Sequence, residues 1–131
     1  MPPRPPVPDA PQERISAKRI YRAAHVSDGK RILVDRLWPR GVAKTRARLS
    51  AWCKDIAPSN ELRHWFHAHP EEWQAFRKRY EMELAMNDEL IQKLADHARE
   101  GVVTLLYASK DEEHNNAIVL RDYLRQYLSG E

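Results

Sequence analysis

The sequence predicts a small α/β domain, a mostly parallel sheet of three to four strands flanked by helices. Three observations carry this. The runs Ile32-Leu33-Val34 and Val102-Val103-Thr104-Leu105-Leu106-Tyr107 are apolar almost without interruption, as strands covered on both faces are. Between them lie stretches with apolar residues at helical spacing, so a long helical crossover predicts that the two strands are adjacent and parallel. A further helical stretch follows the second run, and strand, helices, strand, helix is an α/β pattern.

The elements follow in order. Residues 18–23 read as a short strand, and Asp28-Gly29 is a turn signal. The second strand covers 31–37. Pro39 lacks an N–H and stops the pairing, and Gly41 permits the turn after it. Residues 43–49 form a basic helical segment. Ala51-Trp52-Cys53-Lys54 fits either a short third strand or a helix end. Pro58 ends what precedes it, and Ser59 or Asn60 caps a helix over 60–67. The next helix is expected to start at His69 or Pro70, with proline at its preferred first position and Glu71 and Glu72 in the first turn. Its apolar stripe is Trp73, Phe76, Tyr80 and Leu84. Asn87 caps a further helix carrying Leu90, Ile91, Leu94, Ala95 and Ala98, with Gly101 as its stop. The strand at 102–107 comes next. The last helix is expected over about 111–128, opened by a capping box between Ser109 and Glu112.

The 131 residues suit a single domain, here residues 17–131, and a chain of this length needs no disulfide or metal staple. Residues 1–16 form a proline-rich tail, expected to be disordered or polyproline-like; five of the nine prolines lie in the first eight positions. The one cysteine, Cys53, and the lack of a signal peptide or long apolar run predict a reducing cytoplasm and no membrane span. A net charge of +3 with 31% charged residues describes a well-solvated surface. Basic residues such as Arg46, Arg63 and Arg77 are interleaved with acids and read as a solvated face, so nucleic acid is not an expected partner.

Four segments carry a family resemblance: RILVDRLWPRG, KDIAPSNELRHWF, WQAFRKRYEMEL and VTLLYASKDEEHNNAIVL. In collinear order from Arg19 to Leu124, the chain resembles the bacterial domain of unknown function 488 family, in its short YeaO-like branch. The resemblance implies a compact cytoplasmic α/β protein with a Rossmann-like layout. It carries over Arg36, Trp38, Pro39, Arg40 and Gly41 as one motif and Ala57, Pro58 and Ser59 as a second. Residues 110–115, from Lys110 to Asn115, form a third. Relatives often show Phe-Gly-His-Asp-Pro before the long helix. Here the stretch is Phe66-His67-Ala68-His69-Pro70, which puts Ala68 at the usual histidine position.

In parallel sheets ligands sit beyond the carboxyl ends of the strands. That rule singles out residues 36–41 and 108–116, with Arg36, Trp38, Arg40, Ser109, Lys110, Asp111 and Asn115 as candidate ligand-binding residues. Two guanidiniums at a strand end can hold a phosphate or carboxylate in bidentate fashion. Arg36 or Arg40 is also expected to pair with Asp111, Glu112 or Glu113 at the expected helix start, and both arrangements coexist if one arginine is paired and the other free. Glu113 and His114 are the candidates for proton transfer. His64, His67 and His69 lack the cysteine or carboxylates that complete a zinc set, so no metal is expected. Cys53 reads as a buried apolar thiol. The function these residues predict is a binder of, or enzyme on, a small anionic ligand. The alternative is a non-catalytic binding or regulatory module whose arginine and acid cluster is structural.

Overall fold

A computed structural model describes residues 6–130; the first five residues of the proline-rich segment lie outside the described residues. Four strands form one all-parallel sheet: β1 (Ile15–Arg19), β2 (Lys30–Leu33), β3 (Ala51–Trp52) and β4 (Val103–Tyr107). Their order is β1-β4-β2-β3, so the two apolar runs lie side by side in the middle. Ile15 is opposite Val103, and Ile32 is opposite Leu105. Five helices flank the sheet: α1 (Lys44–Ala47), α2 (Asn60–Ala68), α3 (Trp73–Ala85), α4 (Asp88–Glu100) and α5 (Asn116–Ser129). No helix among the described residues is long and apolar enough to cross a membrane.

Alternation along the strands divides the core into two unequal parts. Ile32, Val34, Val103, Leu105 and Tyr107 face the larger cluster, built with α3, α4 and α5. Leu33 and Leu106 face the smaller one, closed by Ala47, Trp38 and Trp52. The stripe read from the sequence of α3 is the centre of the larger cluster: Phe76, Tyr80 and Leu84 are buried, and Trp73 is half-buried. The Tyr80 hydroxyl donates to the Ile56 carbonyl at 2.7 Å, so this wholly buried ring leaves no polar atom unpaired.

Several boundaries differ from the sequence reading. β1 begins at Ile15, three residues earlier than expected and inside the segment assigned to the tail. Its alternation of Ile15 and Ala17 with Ser16 and Lys18 marks a half-covered edge strand, a weaker signal than a continuous run. Just before it, the Arg14 guanidinium donates to the carbonyls of Ala98 and Arg99 and to those of Pro8 and Asp9. A cation thereby closes the carboxyl end of α4. α3 begins at Trp73 and not at Pro70. Pro70 and Glu71 lie in a turn closed by the Glu72 N–H on the His69 carbonyl at 2.9 Å. α1 spans four residues only and stops where Arg48 takes a left-handed conformation, φ 49°. Asn87 precedes α4 as expected, but its side chain donates to the Asp55 carbonyl and does not cap.

The amino-terminal end of the sheet is tied by a buried ion pair. Arg31, on β2, donates to Asp28 at 2.6 Å and to the Ala47 carbonyl at 3.0 Å. Lys18 of β1 bonds both oxygens of the same carboxylate, and the His25 N–H donates to it as well. Burial pushes the Asp28 carboxyl up, but these four hydrogen bonds outweigh it and hold it below the ordinary value. Gly29, the next residue, has φ +62° and lies so close to Val102 that a Cβ would meet the Val102 carbonyl oxygen at 2.2 Å. Only glycine fits both demands.

The packing around Tyr80 and the Asp28 pair can each be tested by stability measurements. Tyr80→Ala should cost about 4 kcal/mol and Tyr80→Phe about 1 kcal/mol, read as denaturant midpoints at constant slope. Because the Asp28 carboxyl is depressed in the fold, its contribution is complete above the unfolded carboxyl value and is lost as the pH falls through the folded one. Asp28→Ala should therefore cost about 3–5 kcal/mol at neutral pH and flatten the acid limb of a pH–stability curve. An unchanged acid limb would show that the pair carries no such linkage.

Candidate functional site

At the opposite, carboxyl end of the sheet the chain opens a cleft of about 380 Å³. One wall is the segment leaving β2, from Asp35 to Arg40. The facing wall is the β4–α5 loop with Ser109, His114, Asn115 and Asn116. Pro58, Arg63 and Phe66, from α2 and the turn before it, close the third side, and Phe76 lies at the base with Ala57 and Ala108.

Asp35 joins these walls. Its carboxylate accepts the Ala108 N–H at 2.9 Å and the Asn116 side-chain amide at 3.1 Å. The same amide donates to the Val34 carbonyl, and the Trp52 indole N–H donates to the Asp35 carbonyl at 2.8 Å. β2, β3, β4 and α5 are thus held together at one residue. Burial pushes the Asp35 carboxyl up, against the opposing pull of these two donors and of the Arg63 charge.

Among the described residues the cleft arginines Arg36, Arg40 and Arg63 form no ion pair with a carboxylate. Arg36 donates to the Ala57 and Pro58 carbonyls, both at 3.3 Å, and its Nε is buried with no partner. Arg63 contacts Asn60 and His64 at 3.4 and 3.3 Å, and its Nε is likewise buried and unpartnered. Arg40 is exposed; its carbonyl accepts the Tyr21 hydroxyl at 2.7 Å. The expected pairing of Arg36 or Arg40 with Asp111, Glu112 or Glu113 is absent among the described residues. Two of those acids are engaged elsewhere. Asp111 accepts the N–H groups of Glu113 and His114, both at 2.9 Å, and these bonds, His114's first, hold its carboxyl low. Glu112 pairs with Arg22 at 2.6 Å.

The candidates from the sequence therefore divide. Arg36, Trp38, Arg40, Ser109, His114 and Asn115 line the cleft, whereas Lys110, Asp111 and Glu113 do not. Trp38 is both wall and packing: its indole N–H donates to the Val42 carbonyl at 2.7 Å, and its ring meets Trp52 edge-on at 5.3 Å. His114 lies 3.3 Å from Asp111 and 4.8 Å, ring to ring, from Trp73. The capping box at Ser109 does not form. α5 starts at Asn116, capped by the Asn115 side chain accepting the Ile118 N–H at 3.0 Å. The preceding residues turn on Ser109 and Asp111 side chains instead, which satisfies their N–H groups outside a helix. Asp35, Arg63 and Asn116 are additions. Asp35 stands two residues past the end of the central strand β2, where the strand-end rule points. Arg63 reaches the cleft by tertiary packing alone, and no local pattern marks it.

His64, His67 and His69 do not converge; the His69 ring stacks on Trp65. Among the described residues no three of His, Cys, Asp and Glu are grouped to hold a metal ion. Burial pushes the Cys53 thiol up, away from the range of a nucleophile.

An all-parallel four-stranded sheet flanked by helices, with an arginine-lined cleft at the carboxyl ends of its strands, makes this an α/β protein. More particularly, residues 14–131 match the family model DUF488-N3i, described as the inactive DUF488-N3 subclade, and the chain belongs to this DUF488 family in its YeaO-like branch. It is 49% identical over 111 residues to the uncharacterized protein YeaO of Escherichia coli (strain K12), covering 85% of this chain and 96% of that one. It is 38% identical over 113 residues to the uncharacterized protein Rv3073c of Mycobacterium tuberculosis (strain ATCC 25618 / H37Rv), covering 86% and 95%. No solved structure matches the chain significantly.

The two ways of starting α5 differ in a measurable way. Asn115→Ala should destabilise by about 1 kcal/mol through loss of the helix cap. Ser109→Ala, removing an exposed turn acceptor, should stay within about 0.5 kcal/mol. Equal losses at the two positions, in matched thermal melts, would return the cap to Ser109.

Proposed function

We propose that this protein binds a small anionic ligand in the cleft at the carboxyl end of its sheet, without transforming it. The observation that carries this reading is that Arg36, Arg40 and Arg63 line one cleft and none is paired with a carboxylate among the described residues. Guanidinium groups left without acids among the described residues keep terminal N–H donors for a carboxylate or phosphate. Trp38, Pro39, Pro58 and Phe66 supply the apolar surface that small-molecule sites use beside a few polar anchors. The description of the subclade as inactive supports binding over catalysis. Of the proton-transfer candidates, Glu113 lies outside the cleft, which leaves His114 as a contact residue. The lone Cys53, half-buried and free, supports the reducing cytoplasm expected for this role.

The test is a thermal-shift screen of organic carboxylates and phosphates, followed by calorimetric titration of the anions that stabilise. At least one anion should raise the melting temperature in a salt-dependent manner. Arg36→Ala and Arg63→Ala should each weaken it about tenfold or more, and Arg40→Ala, on an exposed side chain, less. Titrations in which no anion at millimolar concentration shifts the melt, or in which the arginine variants bind as the parent does, would overturn the reading.

A further inference from the structure

The cleft holds a carboxylate where an anion site has least use for one. Asp35 lies in the same lining as Arg36 and Arg63, yet it forms no ion pair among the described residues. A carboxylate offers about four acceptor positions. Asp35 uses two, one on each oxygen: the Ala108 N–H and the Asn116 amide. A plain anion placed between the arginines would meet this negative charge and be repelled. An anion that carries its own hydrogen-bond donor would turn the same charge into a contact. The site thus contains both the attractive and the repulsive element from which ligand discrimination is built.

We propose that the ligand bears a hydroxyl or ammonium donor on the carbon next to its anionic group, as an α-hydroxy or α-amino acid does, with Asp35 accepting the donor and the arginines holding the anion. The proposal rests on the anion-binding reading above and adds the ligand's chemical class. The rest of the lining fits it. Leu37, Trp38 and Phe66 provide an apolar wall for a side chain. A volume of about 380 Å³ is near the lower end of the roughly 300–1,000 Å³ of small-molecule sites, the size for a single amino-acid-like molecule. Burial already disfavours the charged form of Asp35, and a donor from the ligand would relieve that cost.

Three probes with one carboxylate and one aromatic body isolate the donor: 3-phenylpropanoate, racemic 3-phenyllactate and racemic phenylalanine. They differ only in hydrogen, hydroxyl or ammonium at the carbon beside the carboxylate. Calorimetric titration of the full chain should show phenyllactate or phenylalanine binding at least tenfold tighter than 3-phenylpropanoate. In Asp35→Asn, checked for a folded melt, that advantage should shrink to threefold or less. If 3-phenylpropanoate binds the parent as tightly as the other two, the donor role is wrong while anion binding stands. The donor role is equally wrong if none of the three binds but another anion of the screen does. If no anion binds at all, it is the underlying reading that fails. Should Asp35→Asn not fold, since Asp35 also ties Ala108 to Asn116, the parent's ranking of the three probes decides alone.

Discussion

The Asp35 carboxylate is the joint on which this structure turns. It takes one donor from the backbone just past β4 and one from the first residue of α5, while its own carbonyl takes the indole of Trp52 from β3. Strand ends in a parallel sheet diverge into separate loops, and nothing in the backbone pairing fixes how those loops stand to one another. Here a single short side chain fixes them. The arginine segment and the helix-start segment become facing walls because both are bonded to the same residue. Local bonding in the helix-start loop explains why the cleft is not filled by its own charges. Asp111 is consumed in turning that loop and Glu112 is taken by Arg22, so the arginines opposite remain available.

The two ends of the sheet use carboxylates in opposite ways. Asp28, at the amino end, is surrounded by donors from Lys18, Arg31 and the His25 backbone, two of them cationic, and is held ionised. Asp35, at the carboxyl end, is desolvated with neutral hydrogen-bond donors only, and its carboxyl is pushed up. The first arrangement closes a structure and the second leaves a demand unmet. That contrast, more than the presence of charged residues, separates the closed end of the sheet from the end that carries the cleft.

The central strands are legible in the sequence because burial on both faces leaves a continuous apolar run between turn signals. Their adjacency and parallel sense follow from the crossover between them. The edge strand β1 is displaced by three residues because only one of its faces is well covered. The starts of α3 and α5 differ for another reason: Pro70 and Ser109 carry the chemistry of helix starts, and each is used in a turn just upstream instead. Pairing across the cleft fails because local competition is invisible at that level. Asp111 has backbone donors within three residues, and Glu112 has Arg22 from the chain just past β1. Arg63 illustrates the remainder. Its place in the cleft depends on how α2 packs, which no spacing of residues around it encodes.

The strand order also constrains when the protein can become itself. β1 finds its partner only in β4, and Ser16 and Thr104 are 88 positions apart. β2 has only the two-residue β3 beside it until the same strand arrives. At about 5–20 residues per second, a ribosome would hold β1 unmatched for roughly 4–18 s. The nascent chain in that interval has helices but no complete sheet, and its apolar strand β2 is open along one edge. Folding is therefore a late event in synthesis: the strand that joins the two halves of the sheet is the last of the four to leave the exit tunnel.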